Sequence, residues 1–330
     1  MPEPAVITIG IFDGVHVGHR RILTRGRAAA DALGVPLTAM TFDPHPLAVL
    51  RPGTQPPRLM SLPARMDALR RAGADHVVTL KPTPQLLSLE PAAFLDTLAA
   101  EHRPRAVVEG ANFRFGKGRR GEVSLLRAAG KRLGFETIVV DPVTVEFDDR
   151  LTPIVSSSLI RWLVGRGRVA EAARCMGQPY TLTAAVIRGE KRGQAIGVPT
   201  ANLDLDAVEA QLIPADGVYA GRVELPDGTD RPAALSVGIK PTFDQTRLAV
   251  EAHLLDFDAD LYGQTISVRF HRWIRDQYRF PGGEALKEQL QRDVSLTRQW
   301  HMMGLLNDTA AAAGSCQNNE PRIHTDKHGC

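Results

Sequence analysis

The sequence predicts an α/β domain with a doubly wound parallel sheet, followed by an all-β domain that forms a small antiparallel β-barrel with a closing helix. In the first half, short apolar segments rich in β-branched residues alternate with segments of helical periodicity, which is typical of βαβ units. In the second half, strand patterns follow one another across turns, which favours an antiparallel sheet or barrel. The length of 330 residues suits two domains.

The elements of the first domain follow from the period of the apolar residues, which is close to 2 in strands and 3.6 in helices. The predicted strands are Val6–Phe12, Leu37–Phe42, Val77–Leu80, Ala106–Glu109 and Thr137–Val140. The predicted helices are His19–Leu33, Arg58–Ala72, Pro91–Glu101, Glu122–Leu133, Ser157–Val164 and Val169–Met176. Ligands bind at the carboxyl ends of parallel strands. We therefore expect the loops Asp13–Gly18, Asp43–Pro46 and Gly110–Gly121 to meet at one edge of the sheet.

The second domain contains five predicted strands and one helix. The strands are Tyr180–Ile187, Val218–Leu225, Ala233–Ile239, Leu248–Phe257 and Thr265–Ile274, and the helix runs from Gly283 to about Met303. The predicted domains therefore cover residues 1–178 and 179–305. Residues 306–330 are expected to form a disordered tail, because most of this segment is small, polar and aperiodic.

Composition excludes several classes of protein. Hydrophobic residues make up 43% of the chain and charged residues 23%, which excludes a mainly disordered protein. No apolar segment approaches the ~18 residues of a membrane span, and no signal peptide is recognisable, so we expect a cytoplasmic protein without a membrane partner.

The three cysteines are too far apart to suggest a disulfide framework. The net charge of +3 and the 5% of aromatic residues argue against a nucleic-acid partner. The oligomeric state is not predicted.

The segment Gly10–His19 joins the first strand to the first helix and is the first candidate site. Its glycines allow a tight turn and a close approach of the backbone to a ligand, and the helix N-terminus attracts anions. His16 and His19, three residues apart, can donate hydrogen bonds to phosphate oxygens as negative charge develops. The alternatives are a glycine-rich turn with a capping histidine and a metal pair that lacks a third ligand. The predicted phosphate-binding residues here are Gly10, Phe12, Asp13, Gly14 and Gly18.

A serine cluster opens the helix at Ser157 and forms the second candidate site. The hydroxyl groups of Ser156, Ser157 and Ser158 suit both helix capping and phosphate contact. Arg161 follows about one turn into the helix and can contact an anion there. The alternative is a capped helix with an arginine at the surface.

The long loop Gly189–Asn202 is the third candidate site. Gly189, Lys191 and Gly193 are predicted to bind phosphate, because a loop rich in backbone N–H groups can cradle phosphates. The Thr200 hydroxyl and the Asn202 carbonyl are hard oxygen ligands that suit Mg²⁺. The alternative is a flexible hairpin with a basic tip.

The fourth candidate is Glu251, which lies inside an otherwise apolar strand. It shares one strand face with His253 by the two-residue period of a strand. A partly buried glutamate there can act as the general base for a hydroxyl nucleophile. The alternative is a solvated outer face.

Taken together, these motifs resemble the bacterial bifunctional riboflavin kinase/FMN adenylyltransferase (FAD synthetase) family from about Val6 to Thr297. The spacing His-x-Gly-His resembles the first nucleotidylyltransferase signature, and the serine cluster with Arg161 resembles the second. Further strings that carry the resemblance are Thr41–Pro46, Asn112–Gly116, Pro199–Asn202 and Glu251–Gly263.

The resemblance implies a nucleotidylyltransferase (Rossmann-like) domain that transfers AMP from ATP to FMN, releasing FAD and pyrophosphate. His16, His19 and Arg161 would act in this step, and Asn112 and Phe113 would position the flavin. The barrel would phosphorylate riboflavin, with Glu251 as the base, Mg²⁺ at Thr200 and Asn202, and Arg275 near the flavin. ATP, riboflavin and FMN are the expected substrates. The alternatives are an FAD synthetase with a non-catalytic flavin-binding barrel and, more remotely, an RNA-binding regulatory protein.

Overall fold

The computed structural model describes residues 3–188, 199–206, 208, 210–242 and 245–308. The N-terminal domain is built on a five-stranded parallel sheet with the strand order β3-β2-β1-β4-β5. Its strands are β1 (Ala5–Gly10), β2 (Leu37–Phe42), β3 (His76–Leu80), β4 (Pro104–Gly110) and β5 (Glu136–Val140). Its helices are α1 (Val17–Leu33), α2 (Pro46–Leu50), α3 (Leu62–Arg71), α4 (Pro84–Ser88), α5 (Pro91–His102), α6 (Val123–Leu133), α7 (Ser157–Val164) and α8 (Val169–Met176).

The strand order reverses at β1, which has β2 on one side and β4 on the other. Helix α1 packs against β1 and β4 on one face, and α5 and α6 pack together on the other. At such a reversal the loops that follow the two central strands diverge and leave a crevice at their carboxyl ends. The crevice therefore lies between the loops after Gly10 and after Gly110.

The C-terminal domain is a closed barrel of six strands with a final helix. The strands are β6 (Tyr180–Ile187), β7 (Ala201–Leu203), β8 (Gly217–Glu224), β9 (Asp230–Thr242), β10 (Gln245–Leu254) and β11 (Thr265–Arg275), and the helix is α9 (Gly283–Met302). The strand order is β10-β7-β6-β11-β8-β9, and all neighbouring strands are antiparallel. Large side chains fill the barrel, and Tyr180, Tyr219 and Phe270 are fully buried. Helix α9 packs against β8 and β9.

The two domains pack directly on each other. Helix α8 contacts β6 and β11 of the barrel. At Gly167, before α8, φ is +73° and an added Cβ would lie 2.3 Å from the ring of Trp273 in β11. Only glycine fits this position, because the backbone there is left-handed and a Cβ would clash with the indole ring.

The predicted fold class is confirmed, and the predicted elements differ from the structure mainly at their ends. Helix α1 begins two residues before the predicted start at His19. The short helices α2 and α4 and the three-residue strand β7 were not predicted, because their segments are proline-rich or too short to show a period. In the described part of the chain, no helix combines the length and the apolar character that crossing a membrane would require.

Candidate active sites

The turn between β1 and α1 brings His16 and His19 together at the crevice. His16 caps α1, and its Nδ1 accepts a hydrogen bond from the His19 backbone N–H at 3.3 Å. The two imidazole rings are stacked, with their centroids 3.6 Å apart and their planes 16° from parallel. A Cβ on Gly18 would lie 3.2 Å from the His16 ring, so glycine leaves room for this stack.

The backbone before the histidines is strained. Phe12 and Val15 have φ angles of 50° and 36°, a region that side-chain-bearing residues rarely adopt. Gly14 lies between them with φ at +85°, and a Cβ there would lie 2.9 Å from the Leu59 side chain. Strain of this kind is found where a ligand requires a particular loop geometry. The predicted glycine positions therefore shape the turn that presents His16 and His19.

Burial keeps both imidazoles neutral. Desolvation lowers the pKa of His16 to about 4. A hydrogen bond to the His16 backbone opposes this shift, and the positive charge of Arg161 adds to it. Desolvation, aided by His16, lowers the pKa of His19 well below its usual value. Nδ1 of His19 is buried and makes no hydrogen bond within the described chain. The pair can therefore offer neutral N–H donors to a ligand at pH 7.

We expect the ring resonances of His16 and His19 in the free enzyme to show no titration between pH 6 and 8. Because the folded-state pKa of His16 lies below the usual 6.5, its neutral form stabilises the fold above pH 6.5, and this stabilisation is lost as the pH falls towards 4. NMR titration and thermal unfolding at pH 7 and pH 5 would test this. The prediction would be contradicted by a ring resonance that titrates near pH 6.5 in the unmodified protein and is absent from the spectrum of His19→Ala.

Arg161 is held at the mouth of the crevice by Asp13. The Arg161 Nη2 donates to Asp13 Oδ2 at 2.6 Å, and Nε donates to the Pro57 carbonyl at 2.7 Å. Both carboxylate oxygens of Asp13 also accept the Leu59 N–H at 3.0 Å. The carboxylate of Asp13, predicted to bind phosphate, therefore positions Arg161 in this structure.

The serine cluster lies beside this ion pair. Ser156 caps α7 through a 3.2 Å hydrogen bond from the Leu159 N–H, and Ser157 donates to the Asp13 carbonyl at 2.8 Å. Ser158 is exposed at the start of the helix. The first and second predicted motifs, about 140 residues apart, thus form one site.

Two further groups at this site were missed by the sequence analysis. Arg65 in α3 is buried and donates to the Ile11 carbonyl at 2.9 Å and to Asp43 at 3.1 Å. His45 caps α2, and burial together with the charge of Arg161 lowers its pKa. A proline-flanked histidine in the predicted Asp43–Pro46 loop was the available signal for His45. Nothing local marks Arg65, since its partners are distant in sequence.

Asn112 and Phe113 follow β4 on the other side of the crevice. Asn112 is exposed, and Phe113 stacks on Phe115 with the ring centroids 5.3 Å apart. A Cβ on Gly110 would lie 3.1 Å from Asn112 Oδ1, so the amide folds back over the end of the strand. The loop therefore places an amide and an aromatic face at the same edge as the histidines.

In the barrel, Glu251 and Asn202 lie opposite each other on the paired strands β10 and β7. The Thr200 hydroxyl donates to Glu251 Oε1 at 3.4 Å, and the Asn202 amide donates to the Thr200 carbonyl at the same distance. His253 contacts the Pro199 carbonyl at 2.7 Å through Nδ1. The structure thus brings together the residues predicted from the third and fourth motifs.

A groove of about 480 Å³ opens next to this cluster. The Arg188 guanidinium lies over the ring of Tyr262, 4.7 Å from its centroid. The groove is lined by residues that include Arg188, Thr200, Phe257, Asp260 and Tyr262. The predicted phosphate-binding residues Gly189, Lys191 and Gly193 lie outside the described residues.

Comparison with known proteins assigns each half of the chain to a family. The FAD synthetase family matches residues 1–156, and the riboflavin kinase family matches residues 176–301. A bifunctional riboflavin kinase/FMN adenylyltransferase from Listeria monocytogenes is 34% identical over 296 residues, which are 89% of this chain and 91% of the relative. The chain belongs to the bifunctional riboflavin kinase/FMN adenylyltransferase family. It combines an FMN adenylyltransferase domain with a riboflavin kinase domain.

Other relatives agree with this assignment. Proteins of the same name from Escherichia coli K12 and Pseudomonas fluorescens are 33% and 36% identical, over 90% and 89% of this chain and 93% and 92% of their own lengths. A solved structure described as a macrolide-efflux protein from Streptococcus pneumoniae superposes with a TM-score of 0.82 and 32% identity, covering 91% of this chain and 95% of that one. The prediction of a bifunctional riboflavin kinase/FMN adenylyltransferase is thus confirmed. The comparisons do not support the RNA-binding alternative.

In the kinase domain, Arg275 is bound to a buried acid. Its guanidinium donates to both carboxylate oxygens of Asp293 in α9 at 2.7 to 3.1 Å, and it lies over the rings of Tyr278 and Phe280. Asp293 is 2% exposed. The residue predicted to contact flavin therefore joins the end of β11 to the closing helix.

Replacing Asp293 with asparagine should lower the free energy of unfolding of the kinase domain by about 3 kcal/mol, because the largely buried charge of Arg275 loses its buried partner. Urea denaturation followed by the fluorescence of Trp273 and Trp300 would measure the loss. Asp256→Asn is the control, since its ion pair with Arg298 is exposed and should contribute nothing measurable. Equal losses in both variants would contradict the prediction.

The kinase site contains side chains of the kind that could hold a magnesium ion. Among the described residues, no group of three or more histidine, cysteine, aspartate or glutamate side chains could hold a metal by itself. Thr200 nevertheless places a hydroxyl against the Glu251 carboxylate, and Asn202 carries an amide at the position opposite Glu251 in the paired strand. Mg²⁺ prefers such hard oxygen ligands and shares them with substrate phosphates.

Proposed function

We propose that residues 1–178 carry out FMN adenylylation and residues 179–305 riboflavin phosphorylation. Leu306 is buried and Asp308 pairs with Arg269 and His271 of β11, so the segment outside both domains does not begin at residue 306 as predicted. The observation that carries this proposal is the assembly of two separate sets of chemical groups. One set has neutral histidines, serines and arginines, and the other has a carboxylate beside a hydroxyl and an amide. ATP, riboflavin and FMN are the small-molecule partners, and a cytoplasmic location follows from the need for ATP.

In the adenylyltransferase site, the FMN phosphate attacks the α-phosphorus of ATP and pyrophosphate leaves. The nucleophile is already an anion, so catalysis needs positioning and charge stabilisation rather than a base. His16 and His19 donate neutral N–H groups to the phosphate oxygens, where negative charge increases in the transition state. Arg161, with Ser156, Ser157 and Ser158 at the start of α7, holds the leaving pyrophosphate.

Asn112 and Phe113 position the flavin at the opposite side of the crevice. Phe113 offers an aromatic face to the isoalloxazine ring, and Asn112 offers an amide for a hydrogen bond. The backbone of Gly10, Phe12, Asp13, Gly14 and Gly18 lets the nucleotide approach the turn closely. Arg65 and His45 extend the same site, Arg65 by fixing the Ile11 carbonyl.

In the kinase site, the ribityl hydroxyl of riboflavin attacks the γ-phosphorus of ATP, and ADP leaves. A neutral alcohol is a weak nucleophile, so Glu251 accepts its proton. The groove lined by Arg188 and Tyr262 takes the nucleotide. Gly189, Lys191 and Gly193 lie outside the described residues, and their role toward the phosphates rests on the sequence pattern alone. Thr200 and Asn202 would hold Mg²⁺, which would neutralise the charge of the ATP phosphates.

One chromatographic time course tests both proposed activities in the full chain. With riboflavin and Mg·ATP, FMN should appear first and FAD should follow, while EDTA should stop both. With FMN and Mg·ATP, FAD should form without riboflavin. FAD from FMN but no FMN from riboflavin would indicate a non-catalytic barrel. Persistence of riboflavin phosphorylation in EDTA would contradict the assignment of Mg²⁺ to Thr200 and Asn202.

A further inference from the structure

The segment Pro57–Leu59, here called the strap, lies between the two domains and bonds to both. On the kinase side it pairs with the segment before β8 as a parallel bridge between Arg58 and Gln211. The Arg58 N–H donates to the Ala210 carbonyl at 3.1 Å, and the Leu212 N–H donates to the Arg58 carbonyl at 2.8 Å. The strap thus forms a short piece of sheet with the kinase domain.

On its other side, the strap holds the charged pair of the adenylyltransferase site. The Leu59 N–H donates to both oxygens of the Asp13 carboxylate, and the Pro57 carbonyl accepts from Arg161 Nε. Asp13 and Arg161 are also joined directly at 2.6 Å. Three of the hydrogen bonds that fix these two side chains therefore come from the strap.

The side chain of Gln211 fastens the strap to the barrel. Its Nε2 donates to the Leu59 carbonyl at 3.1 Å and to the Thr181 carbonyl in β6 at 2.7 Å. Next to it, the fully buried Tyr180 donates its hydroxyl to the Leu212 carbonyl. The amide of Gln211 thus joins one carbonyl from each domain.

We propose that Gln211 of the kinase domain is a positioning residue for adenylyl transfer in the other domain, because it fixes the strap that holds Asp13 and Arg161. This inference rests on the proposed role of Arg161 toward pyrophosphate. Without the Gln211 amide, the carbonyls of Leu59 and Thr181 lose their common donor, and the strap can shift. A displacement of Arg161 by about 1 Å weakens the contacts that matter in the transition state.

The test replaces Gln211 with methionine, which keeps the length of the side chain and removes its N–H donors. We expect kcat for FAD formation from FMN to fall about tenfold, KM for FMN to change less than about twofold, and riboflavin kinase activity to stay within about twofold. Gln211→Leu, measured in the same way, should agree. An unchanged kcat for FAD formation, or an equal loss of both activities in both variants, would overturn the proposal.

Gln264→Met is the matched control. Gln264 also donates through Nε2 to a backbone carbonyl, that of Asp260 at 3.0 Å, but both partners lie in the kinase domain. Its replacement should leave FAD formation unchanged. A loss of FAD formation as large as that of Gln211→Met would show that any perturbation of the barrel has this effect and would overturn the proposal.

A double-mutant cycle separates this inference from the proposed role of Arg161. If Gln211 acts through Arg161, Gln211→Met should have little further effect on FAD formation in an Arg161→Gln background. The same tenfold loss in both backgrounds would show another route and overturn the inference. If Arg161→Gln alone leaves FAD formation unchanged, the proposed role of Arg161 is wrong, and the inference fails with it.

Discussion

His19→Ala should lower kcat for FAD formation from FMN by about 100- to 1,000-fold, while FMN formation from riboflavin continues at its normal rate. The loss is large because a fixed, buried N–H donor next to a developing charge contributes far more than a solvated one. His19 also supports the position of His16, since the two rings are stacked 3.6 Å apart. Both rates can be read in one assay of the two flavin products.

His76→Ala is the control for this variant. His76 is exposed and begins β3, so it lies at the amino end of the sheet, opposite the edge that carries the site. Its replacement should leave FAD formation unchanged. If His19→Ala reduces both activities to the same extent, the assignment of one reaction to each domain is wrong.

Glu251→Gln should lower kcat for FMN formation by about 100- to 10,000-fold and leave FAD formation from supplied FMN unchanged. Glutamine keeps the shape of the side chain and an acceptor for the Thr200 hydroxyl, but it cannot take the proton of riboflavin. A general base is required only in this half, because the alcohol nucleophile is neutral. Initial rates with riboflavin and with FMN would separate the two effects.

Glu224→Gln provides the matched control in the same barrel. Glu224 is an exposed strand glutamate on β8, and its carboxylate pairs with Arg269 at 3.2 Å. Its replacement should leave the kinase rate unchanged. A loss comparable to that of Glu251→Gln would mean that the kinase rate depends on barrel charge in general rather than on the carboxylate of Glu251.

The sequence was sufficient to predict the fold class, because the fold class depends on local patterns. That the distant motifs would meet was implied only by the family resemblance. The alternation of buried and half-buried residues in β10 places Glu251 and His253 on one face, as predicted from the two-residue period. The helix start at His16–His19 was recognisable from glycines and a capping side chain. In such places local propensity and tertiary structure agree.

Features that depend on contacts distant in sequence could not be predicted. The sequence pattern predicts a helix that starts at Arg58 and so includes part of the strap. In the structure this helix begins only at Leu62, because Arg58 and Leu59 bond to a segment about 150 residues away. The resemblance implied that Arg275 lies near the flavin, but its bond to Asp293 on another element was not predicted. Neither contact leaves a periodic or compositional signal.

The pairing of Glu251 with Asn202 across β10 and β7 also limits how this protein can diverge. Gaining or losing one residue in either strand would turn the side chains that follow to the opposite face and separate the carboxylate from the amide. Point substitutions and longer loops would leave that spacing intact. Relatives that keep riboflavin kinase activity should therefore differ in loop length, while the number of residues in these two strands stays constant.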